Sequence, residues 1–294
     1  MTAIGNAPVS FGAFEVTVGH DDDVPDAVQV LDAVQAAGYR GIDLGPLGYL
    51  GLGNELREAL SSRRLLLTGG YVEIDVSSDK AAGRGLAELE DVCDQFDAVS
   101  EGVERGLLPR PTVALVAPAS ASAGSAEPQS SRRARTARVI GEFVDQCEQR
   151  GYEACLHNEL GTEIATQESI VWALESTPVA LCLDTGHLVA ASGDPVEILE
   201  NWRDRVSHVH LKDARSPLPG RPYSDAMALW TGDVFCRLGA GDGRVDEILS
   251  SLRAGGYAGW IVVEQDVLPR GREAYARART DQFENRQYLR DRGW

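Results

Sequence analysis

Four of the five histidines in this 294-residue chain fall in three short segments that also carry Asp, Glu or Lys. The segments read Leu156-His157-Asn158-Glu159-Leu160-Gly161-Thr162, Cys182-Leu183-Asp184-Thr185-Gly186-His187 and His208-Val209-His210-Leu211-Lys212-Asp213. A fourth, Val263-Glu264-Gln265-Asp266, adds carboxylates without histidine. Each marks the end of an apolar run. Imidazole and carboxylate bind metals and move protons. One such residue in isolation is ordinary packing, but four histidines at successive run ends point to one shared site. Period-two alternation puts His208 with His210, and His157 with Glu159, on common faces. A mixed nitrogen and oxygen donor set suits one Mn2+ or Co2+ ion first, then Fe2+, Zn2+ or Mg2+, and suits Ca2+ less. No cysteine closes any of these runs, which argues against a structural zinc site.

What must position these residues is legible in the rest of the chain. Apolar runs at Ala3–Phe11, Gly41–Leu44, Leu65–Ile74, Thr112–Ala117, Ala154–His157, Val179–Asp184, Val206–Leu211 and Trp260–Glu264 read as buried strands. Between them, residues 24–37, 53–63, 81–105, 130–150, 166–175, 195–204, 245–255 and 271–290 carry helical patterning. Strands alternating with helices demand a parallel sheet, and eight repeats close it into a single (β/α)8 TIM barrel over residues 1–294. Glycines in Ala-Ala-Gly-Tyr-Arg-Gly (36–41), Gln-Arg-Gly-Tyr-Glu-Ala (149–154) and Ala-Gly-Gly-Tyr-Ala-Gly (254–259) end helices just before strands. In such a barrel the catalytic groups sit at the C-terminal strand ends, which is where the four segments fall. Glu73, ending the third strand, is a further candidate pocket group, and Phe11 and Phe14 could wall a substrate ring. Ala119–Ser131, rich in small polar residues, predicts a loop at the same end of the barrel.

Composition narrows the function. The net charge of −17 opposes nucleic acid and anionic membranes as partners. The five cysteines, Cys93, Cys147, Cys155, Cys182 and Cys236, never form a CxxC pair and read as free thiols, in keeping with a cytoplasmic protein. The amino terminus lacks the pattern of a secretion signal, and no segment is long and apolar enough to span a membrane. Homo-oligomerisation is compatible with the sequence. Lys80 and Lys212 are the only lysines.

At these residues the chain resembles the xylose-isomerase-like superfamily of sugar isomerases and epimerases, and within it the inosose (2-keto-myo-inositol) dehydratases. The resemblance runs from Asn6-Ala7-Pro8-Val9-Ser10-Phe11-Gly12 to Glu264. Leu183–His187 and His208–Asp213 are its most specific parts, and Gly239-Ala240-Gly241-Asp242-Gly243 with Val245-Asp246 resembles the family's turn before a late helix. The resemblance implies metal ligands at Asp184, His210 and Glu264. The fifth-strand ligand is His157 or Glu159, with Glu159 preferred. His187, His208 and Lys212 then serve substrate or support the ligands, with His157, Glu73 and Phe11 in the substrate pocket.

The implied reaction is loss of water from a cyclic keto-polyol. Glu159 or His187 takes the proton α to the ketone, and Lys212 neutralises enolate charge unless it simply pairs with Asp213. The alternatives are isomerisation or epimerisation of a keto-sugar through the same intermediate, or elimination on a 3-keto-glycoside. A DNA repair endonuclease fits poorly, because too few histidines remain for a trinuclear site and the charge opposes DNA. A metal-free binding protein is the remaining class.

Overall fold

The computed structural model describes residues 2–21, 23–117, 128–217, 229, 234–268 and 271–294. Nine parallel strands form one sheet: β1 (Ala3–Asn6), β2 (Gly41–Ile42), β3 (Leu66–Leu67), β4 (Gly69–Asp75), β5 (Arg110–Val116), β6 (Cys155–His157), β7 (Ala180–Asp184), β8 (Val206–Leu211) and β11 (Trp260–Val263). A two-stranded hairpin, β9 (Asp213–Ala214) with β10 (Phe235–Cys236), stands outside it. The sheet order is β3-β2-β1-β11-β8-β7-β6-β5-β4. β3 and β4 are halves of one barrel strand broken at Thr68, whose N–H donates to Ile42 O (3.0 Å) and whose carbonyl accepts from Arg110 N (3.1 Å). These two bonds carry the ring across the break, so the eightfold barrel expected from the apolar runs is the fold observed.

The helices are α1 (Ala27–Ala37), α2 (Asn54–Ser61), α3 (Asp79–Val99), α4 (Gln129–Gln149), α5 (Gln167–Ser176), α6 (Thr185–Ala190), α7 (Pro195–Trp202), α8 (Val245–Ala254) and α9 (Arg272–Arg290). Local chemistry fixes several starts. Asp26 and Gln29 form a capping box on α1, Thr166 and Ser169 do so on α5, and Asp194 caps α7 ahead of Pro195. The run Ala3–Phe11 is shorter as a strand than expected. Pro8, which has no N–H to give to a ladder, opens a 3-10 turn over Pro8–Phe11. The stretch Ala119–Ser131 lies outside the described residues up to 127, and its last three residues open α4 rather than continue a loop.

Apart from the end of β4, where Glu73 is exposed, the barrel strands are largely buried on both faces, and alternation divides their side chains. Leu156, Leu181, Leu183, Val209, Leu211, Ile261 and Val263 join the apolar layer between sheet and helices. The alternate residues point into the barrel. There Trp260 fills the lower end with Ala3, Leu107 and Val262, and its Nε1 donates to Leu107 O (3.1 Å). Gly41 makes room for that indole, since a Cβ there would stand 2.8 Å from the ring. Above this apolar plug the interior turns polar.

Candidate metal and substrate site

The inward positions of the last four barrel strands supply the polar interior. On β8 they are His208 and His210, followed by Lys212. On β7 they are Cys182 and Asp184, on β6 Cys155 and His157, and after β11 Glu264. Register sets Cys182 opposite His157 on one side and His208 on the other, and Asp184 opposite His210. All of these side chains are buried.

The ligand atoms of Asp184, His210 and Glu264 lie within 4.8 Å of one another. His210 Nδ1 is 3.3 Å from Glu264 Oε2 and 3.9 Å from Asp184 Oδ2. His157 Nε2 completes the group, 3.1 Å from His210 Nδ1 and 3.6 Å from Asp184 Oδ2. These spacings match the edges of a coordination polyhedron with metal bonds of about 2.0–2.2 Å. Asp184 is held by its other oxygen, which accepts from His187 N (2.8 Å) and caps α6, while the Asn158 side chain bonds both the N–H and the carbonyl of Asp184 (2.9 Å each).

Lys212 is 2% exposed, and its Nζ stands 3.1 Å from Asp184 Oδ2, 3.1 Å from Glu264 Oε2 and 2.7 Å from Asp266 Oδ1. Burial opposes its charge, but the carboxylates of Asp184, Asp266 and Glu264 outweigh burial and hold the ammonium well above its ordinary range. The pairing of Lys212 with Asp213 considered from sequence does not occur. Asp213 instead accepts from the N–H groups of Gly239 (2.8 Å), Gly241 (3.0 Å) and Gly243 (2.9 Å), fixing the glycine turn.

The cluster opens into a cavity of about 450 Å3, in the usual range for a small-molecule site. Glu159, Glu73, His187, His157, His210, Lys212 and Glu264 line it, as expected from sequence, and so does Phe14. Glu159, however, meets the ligand group only at the far nitrogen of His157, Nδ1 (3.8 Å), and the same oxygen accepts from Tyr71 Oη at 2.5 Å, which sits 3.1 Å from Glu73. His187 Nε2 is 3.5 Å from Asp266 Oδ2, and its Nδ1 faces Leu160 N.

Two residues expected to touch substrate are placed elsewhere. Phe11 borders a separate groove of about 1120 Å3 between α1 and α9, because the turn at Pro8 swings it away from the cavity. His208 sits one inward position below His210, with ring centres 5.2 Å apart, fully buried and without a hydrogen bond at either nitrogen. Burial, with the charges of Arg110 and His157, pushes its pKa down to about 3. Sharing a face with His210 was correct, but that face continues down into the barrel.

Glu15, Asp43 and Tyr71 line the cavity and escaped the sequence reading, and Asp266 was given there as a strand-end carboxylate without a role. Asp43 follows β2, is 4% exposed, and accepts from Gly45 N (3.2 Å) with one oxygen while the other has no partner. Burial pushes its carboxyl up to about 6.

Residues 31–285 match the profile of the xylose isomerase-like TIM barrel. The chain belongs to this family. An inosose dehydratase of Lacticaseibacillus casei is 31% identical over 143 residues, 46% of this chain and 47% of that protein. The chain thus matches about half the length of this relative. An inosose dehydratase of Lactiplantibacillus plantarum is 24% identical over 274 residues, covering 90% of this chain and 89% of the other. Among solved structures, that of the IOLI protein with a zinc atom superposes with a TM-score of 0.69 at 14% identity, covering 97% of this chain and 95% of that one. This last likeness speaks to the xylose isomerase-like fold alone.

Proposed function

We propose that this xylose isomerase-like barrel is a metal-dependent lyase that removes water from a cyclic keto-polyol, as the names of its dehydratase relatives suggest. The observation that carries the reading is the buried group His157, Asp184, His210 and Glu264 facing a cavity that acid–base residues also line.

The residues fit a divalent ion. Asp184 Oδ2 makes no hydrogen bond, its neighbour being the Lys212 ammonium. Asp184, Glu264 and Asp266 bring three carboxylates against one ammonium, which leaves two negative charges for one dication to balance. Burial, followed by the charges of Asp266 and Asp184, pushes Glu264 well above the usual carboxylate range despite Lys212. That is the behaviour of a carboxylate lacking part of its countercharge. His157, rather than Glu159, is the fourth ligand, and the donor set favours Mn2+ or Co2+. Such an ion supplies Lewis-acid polarisation of the substrate ketone.

The chain's own groups do the rest. Lys212 places a fixed positive charge where negative charge develops on the ketone oxygen, in a water-poor cavity where it acts strongly. Glu159, aimed by Tyr71, takes the proton α to the ketone, with His187 beside it. Asp43, protonated below about pH 6, gives its proton to the departing hydroxyl. Each such transfer contributes roughly 10²–10⁴-fold. Incubation of the Mn2+-loaded protein with scyllo-inosose tests the reading. A growing ultraviolet band from an unsaturated or diketone product is expected, whereas an isomerised ketose with no band would favour the isomerase or epimerase alternative.

A further inference from the structure

We propose that the barrel interior contains a second, overlapping metal position, in which Cys182, His157 and His210 hold a thiophilic ion such as Zn2+ or Cd2+. Cys182 lies two residues before Asp184 on the same inward face of β7, beside His157 and His208 in register. Its sulfur and one ring nitrogen each of His157 and His210 lie within 4.8 Å of one another, all three residues being buried. None of β6, β7, β8 and β11 closes on a cysteine, which is why the strand ends argued against a structural zinc site.

The spacing of the donors suits an ion held by one thiolate and two imidazoles. With metal–nitrogen bonds of about 2.0–2.1 Å, two imidazole nitrogens stand roughly 3.3 Å apart, and the His157 Nε2 to His210 Nδ1 separation is 3.1 Å.

His157 and His210 are common to both positions, so one ion occupies one or the other. Toward Glu264 the ion is bound by hard donors and keeps an open face to the cavity. Toward Cys182 the ion takes one sulfur and two imidazole nitrogens and leaves Glu264 and the cavity behind. Binding breaks the Cys182 S–H bond, forms a metal–sulfur bond and releases the proton to solvent, with no redox step. A soft ion therefore displaces a hard one and silences the site.

The test uses the full chain, stripped with chelator and titrated with Cd2+ alone. The expected result is a sulfur-to-cadmium charge-transfer absorption that saturates at one ion per chain. It should vanish in Cys182→Ser and persist in Cys93→Ser, while Mn2+ affinity of Cys182→Ser stays within about threefold of the parent. In the parent protein preloaded with Mn2+, Cd2+ should release Mn2+ one for one, read by electron paramagnetic resonance. Cadmium NMR of the parent reports the ligand types without any substitution, should Cys182→Ser and Cys182→Ala both fail to fold. A resonance typical of nitrogen and oxygen donors only, or an absorption band unchanged in Cys182→Ser, overturns the proposal.

Discussion

Lys212 is the residue on which the electrostatics of the interior turn. Its ammonium sits among three buried carboxylates, and removing one partner of such a group typically costs about 3–5 kcal/mol because the remaining charges stay buried. Lys212→Met should therefore lower metal-free stability by that amount in urea denaturation. Excess Mn2+ should recover a large part of the loss, and an unchanged loss with Mn2+ would show that no cation enters among these carboxylates. Asp43 acts in the opposite sense. Its folded pKa of about 6 is raised above the ordinary 3.8, so its contribution to stability is complete below pH 3.8 and is lost as the pH rises through 6. Across that window it should remove about 1.4 kcal/mol per pH unit. Asp43→Asn should flatten the stability profile between pH 4 and 6 and cut dehydration at least 100-fold, whereas a parallel profile would mean that Asp43 titrates normally.

At the scale of elements, the glycine turn after β10 is organised by the carboxylate that opens β9. Asp213 takes three backbone N–H groups, and a Cβ on Gly241 would stand 2.5 Å from its Oδ1. Asp213→Ala is expected to cost roughly 2–4 kcal/mol in denaturant unfolding, and Gly241→Ala to destabilise in the same direction. A loss below about 1 kcal/mol would mean the turn re-forms its bonds with water. The eight barrel strands were legible in sequence because strands buried on both faces leave continuous apolar runs. The site histidines were legible because they interrupt those runs at one end. Asp43 was not, since one carboxylate after a strand as short as Gly41–Ile42 carries no period to mark it inward. The β9–β10 hairpin was equally silent, its strands being two residues each and far apart in sequence. His208 was misplaced because alternation fixes the side of a strand but not the depth.

For the whole molecule, barrel closure brings together groups separated by more than 100 residues, from His157 to Glu264. Metal binding should accordingly be coupled to global stability. An ion that binds only the folded chain adds about 2.7 kcal/mol at a hundredfold excess over its Kd. Melting of the full chain should rise with Mn2+ in the parent and stay flat in Asp184→Asn. Among the described residues no helix is long and apolar enough to cross a membrane, and the net charge of −17 concentrates cations around the molecule. The central claim is that the upper barrel interior holds one divalent ion. Anomalous scattering from a crystal soaked in Mn2+ tests it most directly. The account predicts a single strong peak bounded by His157, Asp184, His210 and Glu264, and no peak in that space, or one bounded by other residues, would contradict it.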